Sequence, residues 1–465
     1  MIDKPAPAAA RFPQLSVARD PARMGEVLRR HLQPLKGKAF EVQECAIGVG
    51  YPRGGGGNSW AQMYIVRLRE PGTGRERSQV VTGVMHSGDR TRHLWEELRR
   101  SDPEPAVPAA SRALPPYFYV PDLDMLVLVF PYDHRLPALA RLIAGPPPQF
   151  APLLLEWLGP GDWSVEAWEA KTVRYRAEQR ATVRVTARAR DAATGRAEER
   201  RFYAKVYPED QDGEQVYRLV RALWDKAGAA GADFTVGRPL AYLSSLRILL
   251  QDEVPGPPLE ALLDREDELI PAVRLAARAS AALHLSNLAV PQRHLLRTEL
   301  ARMENVGDVL RSAYPLLRRD IEAIVRAVVA GLDEVPLAPT HGELRPAHIL
   351  LDGDRLALVD LDRFAAADPM LDVATFLVHL GNLGPHVHRP GDRRRVVTRA
   401  FVEEYFAHAP IAWRTRLPLR YAMAVLTSAA RVSRRGSTPD RPDTWPGPIE
   451  GFLEEARDAL AGRVW

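Results

Sequence analysis

A single cysteine, Cys45, stands among the 465 residues, so no internal disulfide can staple the chain and a secreted disulfide scaffold is excluded. Long apolar runs are missing as well. None approaches the roughly 20 residues of a membrane helix, and the opening MIDKPAPAAARFPQL lacks the continuous apolar stretch of a signal peptide. No large excess of either charge exists: 63 basic against 59 acidic residues leave +4, small for a chain of this length and no sign of a nucleic-acid binder. The twelve histidines form no H-E-x-x-H pair or Cys/His cluster, which removes the usual zinc sites. These absences predict a cytoplasmic protein that engages neither nucleic acid nor membrane. Lysine is the scarcest common charge, with six (4, 36, 38, 171, 205 and 226) against 57 arginines, so a lysine inside an apolar strand stands out. What is present is an ordinary globular mixture, 46% hydrophobic and 26% charged, long enough for two or three domains.

The order of segments repeats. After a helix that Asp20 caps and Pro21 opens, strand-like stretches FEVQECAIGV, WAQMYIVRLRE and SQVVTGVMH enclose a TGR turn at 73–75; a charged helix and the pair YFYVPDLDMLVLVFP follow. Residues 151–170 read as a connector. Then KTVRYRAE, ATVRVTARARD, a TGR turn at 194–196, RRFYAKVYPE, a helix and a second hairpin return in the same order. At an offset of 122, VVTGVMH meets FYAKVYP and LVLVFPYD meets ILLQDEVP. The repeat predicts a duplicated lobe of antiparallel strands carrying one helix. From about 267 apolar residues recur three to four apart, predicting helices to the end, interrupted by HILLDGDRLALVDLD, a hairpin turning at Asp352-Gly353. RGGGGN at 53–58 lacks the Gly-Lys-Ser/Thr ending of a phosphate loop and reads as a flexible hairpin. Cys45 reads as a buried structural thiol, the tryptophans as packing, and DRRRVV at 392–397 as a solvated helix start.

The chemistry concentrates between Thr340 and Ala374, THGELRPAHILLDGDRLALVDLDRFAAADPMLDVA. A tight turn makes the hairpin strands antiparallel, so Glu343, His348, Asp360 and Asp362 should gather at one edge. Clustered carboxylates need a counter-cation, and oxygen donors suit Mg²⁺. A carboxylate beside it can orient a hydroxyl and accept its proton.

These residues resemble the catalytic core of the aminoglycoside phosphotransferase and choline-kinase-like enzymes, which share the protein-kinase fold. The family pattern H-G-D-x-x-x-x-N, hairpin, Asp, D-P, D-hydrophobic-A meets His341-Gly342-Glu343, His348, Asp360, Asp368-Pro369 and Asp372-Val373-Ala374. The resemblance implies an α+β, bilobal protein-kinase-like fold: an N-terminal cap that is a degenerate copy of the N-lobe (1–150), an antiparallel-sheet N-lobe (151–256) and a mainly helical C-lobe (257–465). It implies ATP and Mg²⁺, with Asp360 and His348 on the metal, Glu343 in place of the catalytic Asp, and His341 and Asp372 holding the catalytic loop. Lys205 would clamp the phosphates, with Glu214 as the nearest partner. Backbone amides around Gln179 and Arg180 would replace the missing Gly-rich loop, and the hinge at Asp252, Glu253 and Val254 would meet the adenine. His284 closes a helix against the catalytic loop in this reading.

Two central positions depart from the pattern. Glu for Asp adds a methylene, and a shift of about 1 Å at a catalytic group can cost a hundredfold in rate. His for Asn offers a nitrogen where Mg²⁺ prefers oxygen. In the first copy Gly83 replaces Lys205, so that copy serves as a cap, of a kind that resembles the maltokinase-like branch. The expectation is a kinase acting on a hydroxyl of a small-molecule acceptor (a sugar, an aminoglycoside-like compound or another polyol), with residues 376–445 lining the acceptor pocket. The alternative is a pseudokinase that binds nucleotide without transfer. Transfer of AMP, or transfer to a protein, would use the same site.

Overall fold

A computed structural model describes residues 11–35, 38–53, 58–101, 114–227, 233–352, 355–381, 392–435 and 449–463. The glycines of RGGGGN, the glycine of the Asp352-Gly353 turn and parts of the 376–445 region lie outside the described residues. By contacts the chain groups into two units. The first holds Met1–Glu214 with Leu240–Asp252, the second Gln215–Pro239 with Glu253–Trp465.

The first unit opens with helix α1 (Pro21–His31), started by Asp20, whose carboxylate accepts the N–H groups of Ala22 and Arg23 at 3.0 Å. Strands β1 (Glu41–Arg53), β2 (Ser59–Arg69) and β3 (Glu76–His86), helix α2 (Arg90–Ser101), and strands β4 (Tyr117–Val120) and β5 (Met125–Val129) follow. Helices α3 (Pro137–Ala144) and α4 (Ala151–Leu158) lead to β6 (Trp163–Arg176), β7 (Arg180–Asp191) and β8 (Ala197–Val206), and helix α5 (Gly213–Ala227), which follows, is grouped from Gln215 on with the second unit. Short strand β9 (Thr235–Val236) belongs to another sheet, and β10 (Pro239–Leu243) and β11 (Ile248–Asp252) complete this one. The sheets run β1-β2-β3-β5-β4 and β6-β7-β8-β11-β10, the same order strand for strand. Their TGR turns share a bonding pattern: Gly74 N–H goes to Glu70 O and Gly195 N–H to Asp191 O, both 2.8 Å, with φ +67° and +70° at the two glycines. Left-handed backbone at that position is what selects glycine.

The connector expected at 151–170 is instead helix α4 and the start of β6. WSVEAWEA pairs with β7 from Trp163↔Asp191 onward, its apolar–polar alternation interrupted by a register shift between Val165 and Ala167. Trp168 anchors it by donating its indole N–H to Leu142 O at 2.8 Å.

The second unit is mostly helical: α6 (Glu266–His284), α7 (Leu296–Ala313), α8 (Arg318–Ala330), then, after the strands described next, α9 (Met370–Gly381), α10 (Asp392–His408), α11 (Leu417–Arg435) and α12 (Ile449–Leu460). Between α8 and α9, β12 (Ala338–Thr340) pairs with β15 (Ala365–Ala367), and β13 (Ile349–Asp352) with β14 (Arg355–Leu358), which also takes β9 in parallel. One continuous core binds helices to hairpin, with Phe376 stacked on Phe401 at 4.5 Å and Phe401 on Tyr405 at 6.2 Å. Among the described residues no helix is long and apolar enough to cross a membrane.

Candidate active site

The loop that carries His341-Gly342-Glu343 leaves β12 at Thr340, whose hydroxyl donates to Ala365 O at 2.8 Å and ties the loop to β15. His341 and Gly342 then turn inward so that both their N–H groups meet the Asp372 carboxylate, at 2.5 and 2.9 Å. Gly342 has φ +79°, and a Cβ there would lie 2.2 Å from Arg363 O, so only glycine fits. The His341 ring donates from Nε2 to Val359 O at 2.9 Å and lies nearly parallel to the His348 ring, 5.5 Å away. His284, at the end of α6, meets Asp372 Oδ2 from Nε2 at 3.3 Å and the Tyr405 hydroxyl from Nδ1 at 2.7 Å. Burial alone would raise the Asp372 carboxyl; the His284 hydrogen bond and the nearby His284 and His341 rings outweigh it and hold the group below its usual value.

His348 and Asp360 face one another. The imidazole Nδ1 lies 2.9 Å from Glu343 O, and because a carbonyl only accepts, Nδ1 carries the proton. In the neutral ring Nε2 then turns its lone pair toward Asp360 Oδ2 at 3.7 Å. Asp360 itself has left-handed backbone, φ 62° and ψ 48°. The Nδ1–H to carbonyl arrangement is the one that orients a metal-ligating histidine. Of the four residues expected to gather, these two meet side chain to side chain. Among the described residues no group of three or more His, Cys, Asp or Glu could hold a metal ion, so a cation here would have two protein donors and otherwise water or phosphate oxygens.

Glu343 turns elsewhere. Its Oε1 pairs with Arg345 and with Arg431 at 3.2 Å, and its Oε2 with Arg363 at 3.3 Å. Three guanidinium groups on one carboxylate were not foreseen from sequence: Arg431 lies on α11, far along the chain, in a protein where arginine is too common to signal anything. Asp368 is held similarly, by Arg420 at 2.8 Å and Arg416 at 3.0 Å.

In the first unit Lys205 lies on β8, the middle strand of its sheet, 7% exposed, opposite Thr182 and Leu249. Gly83 pairs with Val127 at the matching place in the first sheet, and Met125 fills the space, its sulfur 2.3 Å from where a Cβ would sit. Gln179 gives its N–H to Arg176 O at 3.0 Å inside the β6–β7 turn, and Arg180 begins β7. Glu214 is exposed in the first turn of α5. Asp252 ends β11, and Glu253 and Val254 follow as half-buried chain where the grouping into units changes. Cys45 is buried, its thiol pushed up to about 12 by burial, so it is structural.

Residues 160–413 match the family described as the phosphotransferase enzyme family, and the chain belongs to it. Similar solved structures include a choline/ethanolamine kinase family protein from Mesorhizobium loti (16% identity, 68% of this chain and 91% of that one, TM-score 0.39). An aminoglycoside-3'-phosphotransferase of type VIII is 21% identical over 60% of this chain and 97% of that one, with a TM-score of 0.37. Amicoumacin kinase in complex with AMP-PNP, Ca²⁺ and its ligand is 11% identical over 63% and 88%, with a TM-score of 0.40. No curated protein matches the sequence.

Proposed function

We propose that this chain is an ATP- and Mg²⁺-dependent phosphotransferase that acts on a hydroxyl of a small molecule such as a sugar or other polyol. The observation that carries the reading is the catalytic loop: two successive N–H groups fixed on Asp372, and the His348–Asp360 pair held beside them at the hairpin edge. Lys205 contacts the phosphates, with Glu214 as its partner; Gln179 and Arg180 meet them from the β6–β7 turn, and the backbone of Asp252–Val254 meets the base. Asp360 and His348 would hold the divalent cation, which when bound would offset the negative charge of the nucleotide phosphates. Glu343 orients the acceptor hydroxyl through Oε2, the oxygen guarded by the more exposed Arg363. As the acceptor oxygen bonds to the terminal phosphorus and the bond to ADP breaks, the hydroxyl proton passes to Glu343.

A second reading has its own observation. Both oxygens of Glu343 are already engaged by arginines, which suits a nucleotide-binding protein that has given up transfer. Acceptor-dependent ADP release separates the two, measured over sugars, aminoglycosides and amino alcohols for wild type and Glu343→Gln. Turnover that falls at least a hundredfold in the variant supports the kinase. Nucleotide binding without turnover supports the second reading.

A further inference from the structure

The turn between β6 and β7 has no glycine, yet Glu178 at its tip has φ +58°. Left-handed backbone costs a non-glycine residue roughly 1–2 kcal/mol, so something outside the turn must hold it. The first sheet does. Ala177 is fully buried in an apolar cluster with Ala61, Val84, Leu126 and Leu128, and Tyr175 packs on the same cluster. The Glu178 carboxylate, 2% exposed as a residue, pairs with Arg53 from the end of β1 and with His134 Nε2 at 3.3 Å. Its N–H goes to Asp133 Oδ2 at 2.6 Å, and that same oxygen accepts the Tyr175 hydroxyl at 3.0 Å. Arg135, two residues on, pairs with Asp210 in the segment that follows β8.

Directly beyond this turn the ladder reads Arg176↔Arg180, Ala181↔Val206 and Thr182↔Lys205. The clamped tip is therefore one strand away from the lysine that the proposed function places on the phosphates. Ordinary domain glue is apolar. Here several ionisable groups are buried together, which costs desolvation and in some proteins serves to fix one geometry. Burial raises Asp133 to about 6, with the Arg135 N–H, the Tyr175 hydroxyl and Arg53 opposing, so at neutral pH the carboxylate is ionised and accepts its donors.

We infer that the first sheet acts on the nucleotide site of the second: Arg53, Asp133 and His134 are positioning residues that hold the Ala177–Arg180 turn in its phosphate-facing shape. This rests on the nucleotide reading above. It also gives the degenerate copy a task, since that copy has lost its own lysine and kept the face that grips its twin.

The test is nucleotide affinity by calorimetry, with ATP and Mg²⁺, for wild type, Arg53→Met, Arg53→Lys and the double variant Arg53→Met/Glu178→Met. Arg53→Met alone leaves the buried Glu178 without its guanidinium partner, facing only His134, and can unfold the unit. The double variant removes both charges, a replacement that buried pairs tolerate, and so keeps the test alive. Expected are about tenfold weaker binding in the double variant at an unchanged thermal midpoint, faster amide exchange at 177–180, and partial recovery in Arg53→Lys. Wild-type affinity in the folded double variant overturns the inference while leaving the nucleotide site standing. A wild type that binds no nucleotide removes the proposed function, and this inference with it.

Discussion

Asp372 accepts two successive backbone N–H groups and an imidazole while wholly buried, so its charge is committed to shape rather than to chemistry. Asp372→Asn keeps the volume but turns a donor toward one of those N–H groups. Losing one side of a buried charged network costs about 3–5 kcal/mol, so the variant should unfold at markedly lower denaturant than wild type, read by urea titration. His348 carries a different consequence. An imidazole beside a single carboxylate draws first-row transition ions more than Mg²⁺, so Mn²⁺ should bind more tightly than Mg²⁺ in calorimetry, and His348→Asn should narrow the gap. Both residues were legible because they sit in a motif with fixed spacing. Arg345, Arg363 and Arg431 were not, since a carboxylate's partners come from wherever the fold brings them.

At the scale of elements, the duplicated sheet was legible because each copy repeats, in the same order of segments, a TGR turn whose glycine is left-handed and makes the two strands it joins neighbours. The start of β6 was hidden because three tryptophans in a short stretch look like a connector, and the register shift between Val165 and Ala167 breaks the alternation that would mark a strand. The clamp on the β6–β7 turn was hidden altogether, being made by residues from the other copy. It has a pH signature. Burial, with Arg53 and other cations adding, lowers His134 of the clamp, and His86 at the end of β3 in the same unit, from 6.5 to about 4, so their stabilising contribution is complete above 6.5 and is lost as pH falls toward 4. Asp133, raised from 3.8 to about 6, works in the opposite sense, its contribution being lost as pH rises through 6. Two histidines against one carboxylate leave a net loss on acidification, so the thermal midpoint of this unit should fall between pH 6.5 and 4.5. His86→Gln/His134→Gln should flatten that slope, and a steeper slope in the variant would contradict the assignment.

For the whole molecule, the proposed function needs a nucleotide, and the residues proposed to hold it are Lys205, grouped in the first unit, and Asp360 and His348, grouped in the second. Sequence singled out both candidates because each is marked by rarity or spacing, the lysine by its scarcity and the aspartate by its hairpin. The acceptor was out of reach, since its pocket depends on side chains that no motif orders. The most direct test of the account is calorimetric titration of ATP, with a divalent cation, into wild type, Lys205→Ala and Asp360→Asn. The account predicts a dissociation constant within the range of about 1 μM to 1 mM that is common for enzyme substrates, weakened at least tenfold in each folded variant. A wild type that gives no binding heat, or variants that bind as well as wild type, would contradict it.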